Sequence, residues 1–132
     1  MHVSARDHSS SLLPITDLQE KVFPGTSEVS TTEVCVAPLE VFVKGAEILG
    51  PAMLKLDVQG FEYEALQGCE SLLSRFDWVY CECSFVELYA GQKMAADIIA
   101  WLRARGLELR GIFNVAYDSG GTAVQGDFLF GR

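Results

Sequence analysis

The sequence is poor in the groups from which many sites are built. His2 and His8 are its only histidines, and its four cysteines, Cys35, Cys69, Cys81 and Cys83, include no CxxC pair and no cysteine–histidine cluster. That spacing argues against a zinc site or a redox dithiol. No apolar run reaches the roughly 18–20 residues of a membrane-spanning helix. The N-terminal MHVSARDHSSS has no hydrophobic segment of the kind a signal peptide needs, so a cytoplasmic location is the expectation. Lysine and arginine total 10 against 18 aspartates and glutamates, a net charge of −8 with no basic block. A nucleic-acid backbone or an anionic membrane surface needs a basic footprint, so neither partner is expected. There is also no GxGxxG, P-loop or GxSxG, and no glycine-rich turn precedes the first clear strand.

What is present is enough for one folded domain. The chain has 132 residues, 49% of them hydrophobic, in segments with clear periods. Cys81 and Cys83, two apart on a predicted strand, share a face as small core residues, and the expectation for all the cysteines is a buried reduced thiol.

Residues 1–30 read as an irregular N-terminal segment. Met1–Ser4 has the pattern of a strand end, a polar loop with Ser9, Ser10 and Ser11 follows, and Thr16 or Asp17 is placed to cap a short helix before Pro24-Gly25. Thr31–Ala37 alternates in the manner of a strand, with Val34 and Val36 on one face. Pro38 then suits the first position of a short helix carrying Leu39, Phe42 and Val43. Met53–Val58 is a short apolar run of buried-strand type, broken at Gly60 and followed by helical spacing from Phe61 to Arg75. Trp78–Phe85 is the next strand, read as buried on both faces with Val79, Cys81, Cys83 and Phe85 on one of them. A helix over Met94–Ala104 follows, stopped at Gly106. Leu107–Val115 and Thr122–Phe130 form a hairpin around Asp118-Ser119-Gly120-Gly121.

Strand, tight turn and helix is the unit of an open parallel sheet, and such sheets bind ligands beyond the carboxyl ends of their strands. Asp57 stands at one such end. Glu82 is the odd residue in an apolar strand, and a buried carboxylate must be paired, protonated or turned toward a ligand. If the two strands are parallel neighbours, Asp57 and Glu82 open onto one crevice. Each has a plainer reading. Asp57 can pair with Lys55 on the same face, Glu62 can serve the dipole of the helix it begins, and Glu82 can be a hydrogen-bonded structural carboxylate. Two carboxylates could hold a divalent cation, but no third ligand stands out.

These same stretches carry a family resemblance. LLPITD after the serine run, LKLDVQGFEYEALQG, VYCECSFVELYAGQ, WLRARGLELRGIFN and the closing QGDFLF resemble the C-terminal half of FkbM-family methyltransferases, over roughly residues 9–132. The most specific pieces are Lys55–Glu62, matching K-[IL]-D-V-[EQ]-G-x-E, and Glu82–Tyr89, matching E-x-S-F-x-E-L-Y. The resemblance implies an α/β, Rossmann-like fold, here partial, with parallel strands, helices and a closing antiparallel hairpin. It implies S-adenosylmethionine as cofactor and a small-molecule or saccharide hydroxyl as acceptor. By resemblance Asp57, Gly60 and Glu62 lie beside cofactor and acceptor, Ser10 and Ser11 near the pocket mouth, and Asp57 and Glu82 are the candidates for accepting the acceptor's proton. The glycine-rich turn and the acidic residue for the cofactor's ribose, which family members carry on earlier strands, have no counterpart here. The chain thus reads as a fragment of such an enzyme with reduced or no activity alone. An unpaired edge at Met53–Val58 would invite pairing with a second copy or another chain, and the competing expectation is a non-catalytic interaction module.

Overall fold

The computed structural model describes residues 1–132 and runs β1 (His2–Ser4), α1 (Asp17–Val22), β2 (Glu28–Thr31), β3 (Met53–Leu56), α2 (Glu62–Gln67), β4 (Trp78–Ser84), α3 (Ala95–Arg103), β5 (Glu108–Tyr117) and β6 (Ala123–Gly131). The main sheet has the order β3-β4-β6-β5, and β1 pairs with β2 apart from it. β3 and β4 are parallel, with Leu54 opposite Val79 and Leu56 opposite Cys81. β4–β6 and β6–β5 are antiparallel. A parallel pair needs a crossover, and α2 with the 3-10 turn Glu70–Arg75 supplies it. No helix is long and apolar enough to cross a membrane.

One sheet face is closed. Val79, Cys81 and Cys83 alternate along β4 onto a core with Leu66 of α2, Ile98 and Leu102 of α3, and Phe128 and Phe130 of β6. Burying each large side chain of this set contributes roughly 1.5–3 kcal/mol. The opposite face is open, since Met53 (55% exposed), Trp78 (38%) and Phe113 (47%) all reach solvent there. β4 is therefore buried on one face and not on both. β3 has a ladder on one side only, so its outer edge is free.

The sequence reading of α3, of the hairpin and of a short helix capped by Thr16 holds. The Thr16 hydroxyl accepts from the Gln19 amide at the start of α1. Residues 1–30 are not irregular, because β1, α1 and most of β2 lie within them. The strand expected at Thr31–Ala37 ends where it was to begin. Its ladder stops at Thr31, and Val34 (43%) and Val36 (60%) are exposed along an extended segment without a partner. β propensity describes fit to a pleated neighbour, and here no neighbour is supplied. Cys35 in that segment is exposed, contrary to the buried thiol expected, whereas Cys69, Cys81 and Cys83 are buried.

The helix after Pro38 is one 3-10 turn, Leu39–Val41, with Phe42 72% exposed. A single turn fixes several dihedrals for one hydrogen bond and does not propagate without packing. The helix expected over Phe61–Arg75 is split at Gly68, whose carbonyl accepts from the Leu39 amide at 3.0 Å. Leu66, Cys69 and Leu72 recur every third residue and stay buried through the break, which is the 3-10 period and not the α period. Phe85, expected on the buried face of β4, lies one residue past the strand and is 41% exposed.

Candidate functional site

β3 ends at Leu56, and the chain turns through Asp57, Val58, Gln59 and Gly60 before α2 starts at Glu62. Gln59 (φ 53°) and Gly60 (φ 92°) both have left-handed backbone. A Cβ on Gly60 would lie 2.8 Å from Cβ and Cδ2 of Tyr89, so only glycine lets the turn pack against that ring. Glu62 is 4% exposed and its Oε1 accepts from the Val58 amide at 2.9 Å, closing the turn from beneath. Burial raises its pKa to about 6, against the lowering effect of the surrounding backbone amides. The carboxylate holds the turn in shape and turns inward.

Asp57 and Glu82 do meet at the ends of neighbouring parallel strands. Gln59 joins them, its Nε2 donating to Asp57 Oδ1 at 2.8 Å and to Glu82 Oε2 at 3.2 Å. Gln125 of β6 donates to the other Glu82 oxygen at 3.0 Å. Asp57 also takes the ion pair with Lys55, at 3.1 Å, in a pair with both side chains largely exposed (59% and 44%). Glu82 sits deeper. Burial first, then the negative charges of Asp57, Glu62 and Asp127, raise its pKa to about 8, with Lys55 opposing. A carboxyl of that pKa exchanges its proton near neutral pH, where a general acid or base works best.

Behind the turn, Tyr89 fixes Gln59. Its hydroxyl lies 2.7 Å from Gln59 Oε1 and 3.2 Å from the Ser9 carbonyl, and accepts from Gln19 Nε2 at 3.3 Å. Gln92 holds the Tyr89 loop by accepting the Leu88 and Tyr89 amides at 2.7 and 2.6 Å. The serine run reaches the same place. Ser11 donates to the Gln59 carbonyl at 2.6 Å, while Ser10 accepts the Ser4 amide at 3.1 Å and closes its own loop.

Two cavities flank this ridge. A polar one of about 280 Å³ is lined by Asp57, Gln59, Glu82 and Gln125 with the loop after β1 and with α1. A larger groove of about 760 Å³, mostly apolar, follows the free edge of β3 between Val34–Phe42 and α2, with Ser10, Ser11 and Lys55 among its polar residues. Gln59, Gln125, Gln19 and Tyr89 were not singled out from the sequence. Gln59, Tyr89 and Gln125 stood inside family-like stretches, where a signal existed, whereas nothing local marked Gln19.

An open α/β sheet that presents a carboxylate–amide cluster at the carboxyl ends of two parallel strands is built as a ligand-binding domain. The family model for the methyltransferase FkbM domain matches residues 1–109, and the chain belongs to that family, whose members are generally S-adenosylmethionine-dependent. No curated protein and no solved structure matches the chain.

The residues present do not make a whole site for that cofactor. A sulfonium nucleoside needs backbone that approaches its polar tail and acceptors for its ribose. Gly60, the glycine at the strand end, is covered by Tyr89, and the groove beside β3 offers an apolar wall with few polar groups, Glu64 among them.

Proposed function

We propose that the chain carries the acceptor side of an S-adenosylmethionine-dependent O-methyltransferase of FkbM type with a Rossmann-like fold, acting on a hydroxyl of a small molecule or saccharide. The observation behind this reading is Glu82. Its carboxyl stands at a parallel strand end, each oxygen already oriented by one amide, beside Asp57 and within a polar cavity, in a chain of a methyltransferase family. In this reading Glu82, in its ionised form, would take the proton of the acceptor hydroxyl. Gln59 keeps that carboxyl positioned, and burial with the charge of Asp57 keeps its pKa high. The cofactor, when bound, supplies the electrophilic methyl group.

The cofactor side comes from outside this chain's own sheet. The free edge of β3 and the groove beside it are where we place the added strands, because an apolar edge of this kind is stable only when paired or covered. A second copy of the chain pairing there is the competing occupant.

The test uses calorimetric titration of S-adenosylmethionine. The chain alone is expected to give no saturable heat up to about 1 mM, roughly the weakest affinity such a titration resolves. Co-expression with the cofactor-binding half of another FkbM-domain protein is expected to restore binding and methyl transfer, with transfer lost in Glu82→Gln. Micromolar binding by the chain alone, abolished in Asp57→Ala, would show a complete pocket and end the incompleteness argument. A stable homodimer that neither binds cofactor nor accepts the complementary half would favour the interaction module.

A further inference from the structure

Two lengths of backbone without partners share one groove. On one side is β3. The Ala52 carbonyl accepts from the Asp77 and Trp78 amides at 2.9 and 3.3 Å, so Ala52, Leu54 and Leu56 turn their peptide groups toward β4. Direction alternates along a strand, and the peptide groups of Met53 and Lys55 therefore point to the free edge. On the other side runs Glu33–Ala37, where no peptide group makes a hydrogen bond within the chain. Val34 and Val36 line the groove with Leu54 and Leu56, whereas Glu33 and Cys35, on the alternate face, do not.

The segment is tied at both ends in a way that sets its direction. The Thr32 amide donates to the Met1 carbonyl at 2.9 Å. The adjoining His2 pairs with Ser11, whose hydroxyl reaches Gln59 just past the carboxyl end of β3. At the other end the Leu39 amide is held by Gly68, beyond α2, which has carried the chain back toward the start of β3. Glu33–Ala37 therefore runs antiparallel to β3. Its five residues span about 17 Å when extended, enough to follow the whole of the four-residue strand. Side chains select the register. With Val34 opposite Leu54, Val36 meets Ala52 on the core side, Glu33 meets Lys55 and Cys35 meets Met53. With Val34 opposite Leu56, Glu33 would face Asp57, and like charges directly opposite are destabilising.

We infer that Glu33–Ala37 is a strap that closes on the free edge of β3 as an antiparallel strand, with Cys35 opposite Met53. Closure covers two exposed valines, pairs the outward peptide groups of β3, and guards that edge against a second chain. The strap thereby competes with any strand added at the same edge. That competition rests on the proposed assembly with a complementary half, whereas the closure itself does not.

Disulfide trapping on the full chain tests the closure. Facing residues of a hydrogen-bonded antiparallel pair have Cα atoms about 5.5 Å apart, within disulfide range. Under oxidised glutathione, Met53→Cys is expected to bond internally to Cys35, read by intact mass, about tenfold faster than Lys55→Cys or Ala65→Cys. Ala65 lies on the α2 wall of the same groove, which a merely loose segment would reach as readily. Equal rates at the three positions, or no bond in Met53→Cys, overturn the strap. Amide exchange gives a second reading without new cysteines. The Met53 and Lys55 amides are expected to exchange about tenfold faster when Val34→Ser and Val36→Ser are combined, at exposed sites that leave the core untouched. Unchanged exchange overturns the closure. The complementary half is expected to bind the serine variant more tightly than the natural chain and the trapped form not at all, and binding by the trapped form overturns the competition. Failure of the functional reading looks different: the bond forms in Met53→Cys, yet the complementary half binds neither the natural chain nor the serine variant.

Discussion

Gly60→Ala is the sharpest single test of how the site is held together. Two costs add at this position. The first is conformational: at φ 92° an alanine is strained by about 1 kcal/mol relative to glycine. The second is steric, because the new methyl would lie 2.8 Å from Cβ and Cδ2 of Tyr89 and 2.9 Å from its Cγ. Tyr89 is 1% exposed and tied through its hydroxyl, so the ring cannot swing away, and overpacking of this kind costs about 1–3 kcal/mol. The sum is about 2–4 kcal/mol. For a chain of this size each kcal/mol lowers the melting temperature by roughly 3–5 °C, so a fall near 10 °C is expected.

Gly91 provides the control. It has φ 83° but nothing within 4 Å of where a Cβ would sit, so Gly91→Ala carries the strain without the clash. Thermal unfolding followed by circular dichroism should show Gly60→Ala melting well below Gly91→Ala, which itself should fall only about 4 °C. Equal melting temperatures for the two variants would refute the close packing of the turn on Tyr89, and with it the account of how Gln59 is positioned.

Stability should decline from acidic toward basic pH, because Glu62 and Glu82 titrate near 6 and near 8 in the folded chain against 4.5 when unfolded. The folded state then binds more protons through that window, so the stabilisation present below pH 4.5 is lost as pH rises through the two folded values. A tenfold change in proton affinity corresponds to about 1.4 kcal/mol, and solvent screening reduces what each carboxyl contributes. Glu82→Gln should therefore flatten the decline above pH 6 in urea titrations at several pH values. Thiol labelling under native conditions should modify Cys35 quickly and spare the others, since burial pushes Cys69 up to about 11 and the contact with Cys83, together with burial, raises Cys81. More than one fast thiol would contradict the packing of β4. Leu66→Ala, at a fully buried position between α2 and the sheet, should cost about 2–5 kcal/mol by urea unfolding, and a loss below about 1 kcal/mol would mean that the core is looser than described.

The elements most legible in the sequence were those whose own periodicity is completed by close neighbours. β4 announced itself through Val79, Cys81 and Cys83, α3 through Ile98 and Leu102, and the hairpin through Asp118–Gly121, and all three pack against one another. Thr31–Ala37 has a strand pattern of the same strength and no partner, so its pattern could not decide its state. The helix after Gly60 misled for another reason. Residues 66, 69 and 72 fit a three-residue spacing as well as a helical stripe, and the Leu39–Gly68 hydrogen bond that selects the break joins residues far apart in sequence. Within the site, Asp57 and Glu82 could be foreseen because carboxylates at strand ends are conspicuous. The amides that connect them lay in family-like stretches but were not singled out, since a glutamine such as Gln125 acquires its role only when β6 is laid beside β4.

The open sheet face and the tuning of Glu82 are linked. Glu82 and Asp127 are opposite one another on β4 and β6, on the face where Trp78 and Phe113 are still solvated. Asp127 accepts from Tyr80 and Asn114, at 3.0 and 2.7 Å, and its negative charge is among those that raise the Glu82 pKa. Any layer that covers this face removes water from three carboxylates at once, and desolvation and mutual repulsion both act to raise the pKa of the deepest. In the proposed assembly such a cover would hold Glu82 protonated to higher pH than in the chain alone, unless it brought a cation of its own. The sign of that change can be measured without any substrate. If the complementary half lowers the Glu82 pKa below about 8, a positive group of the added half faces this cluster, as a cationic cofactor or a basic side chain would. If it raises the pKa, the half contributes burial or negative charge and no offsetting cation, and Lys55 remains the cation paired with Asp57.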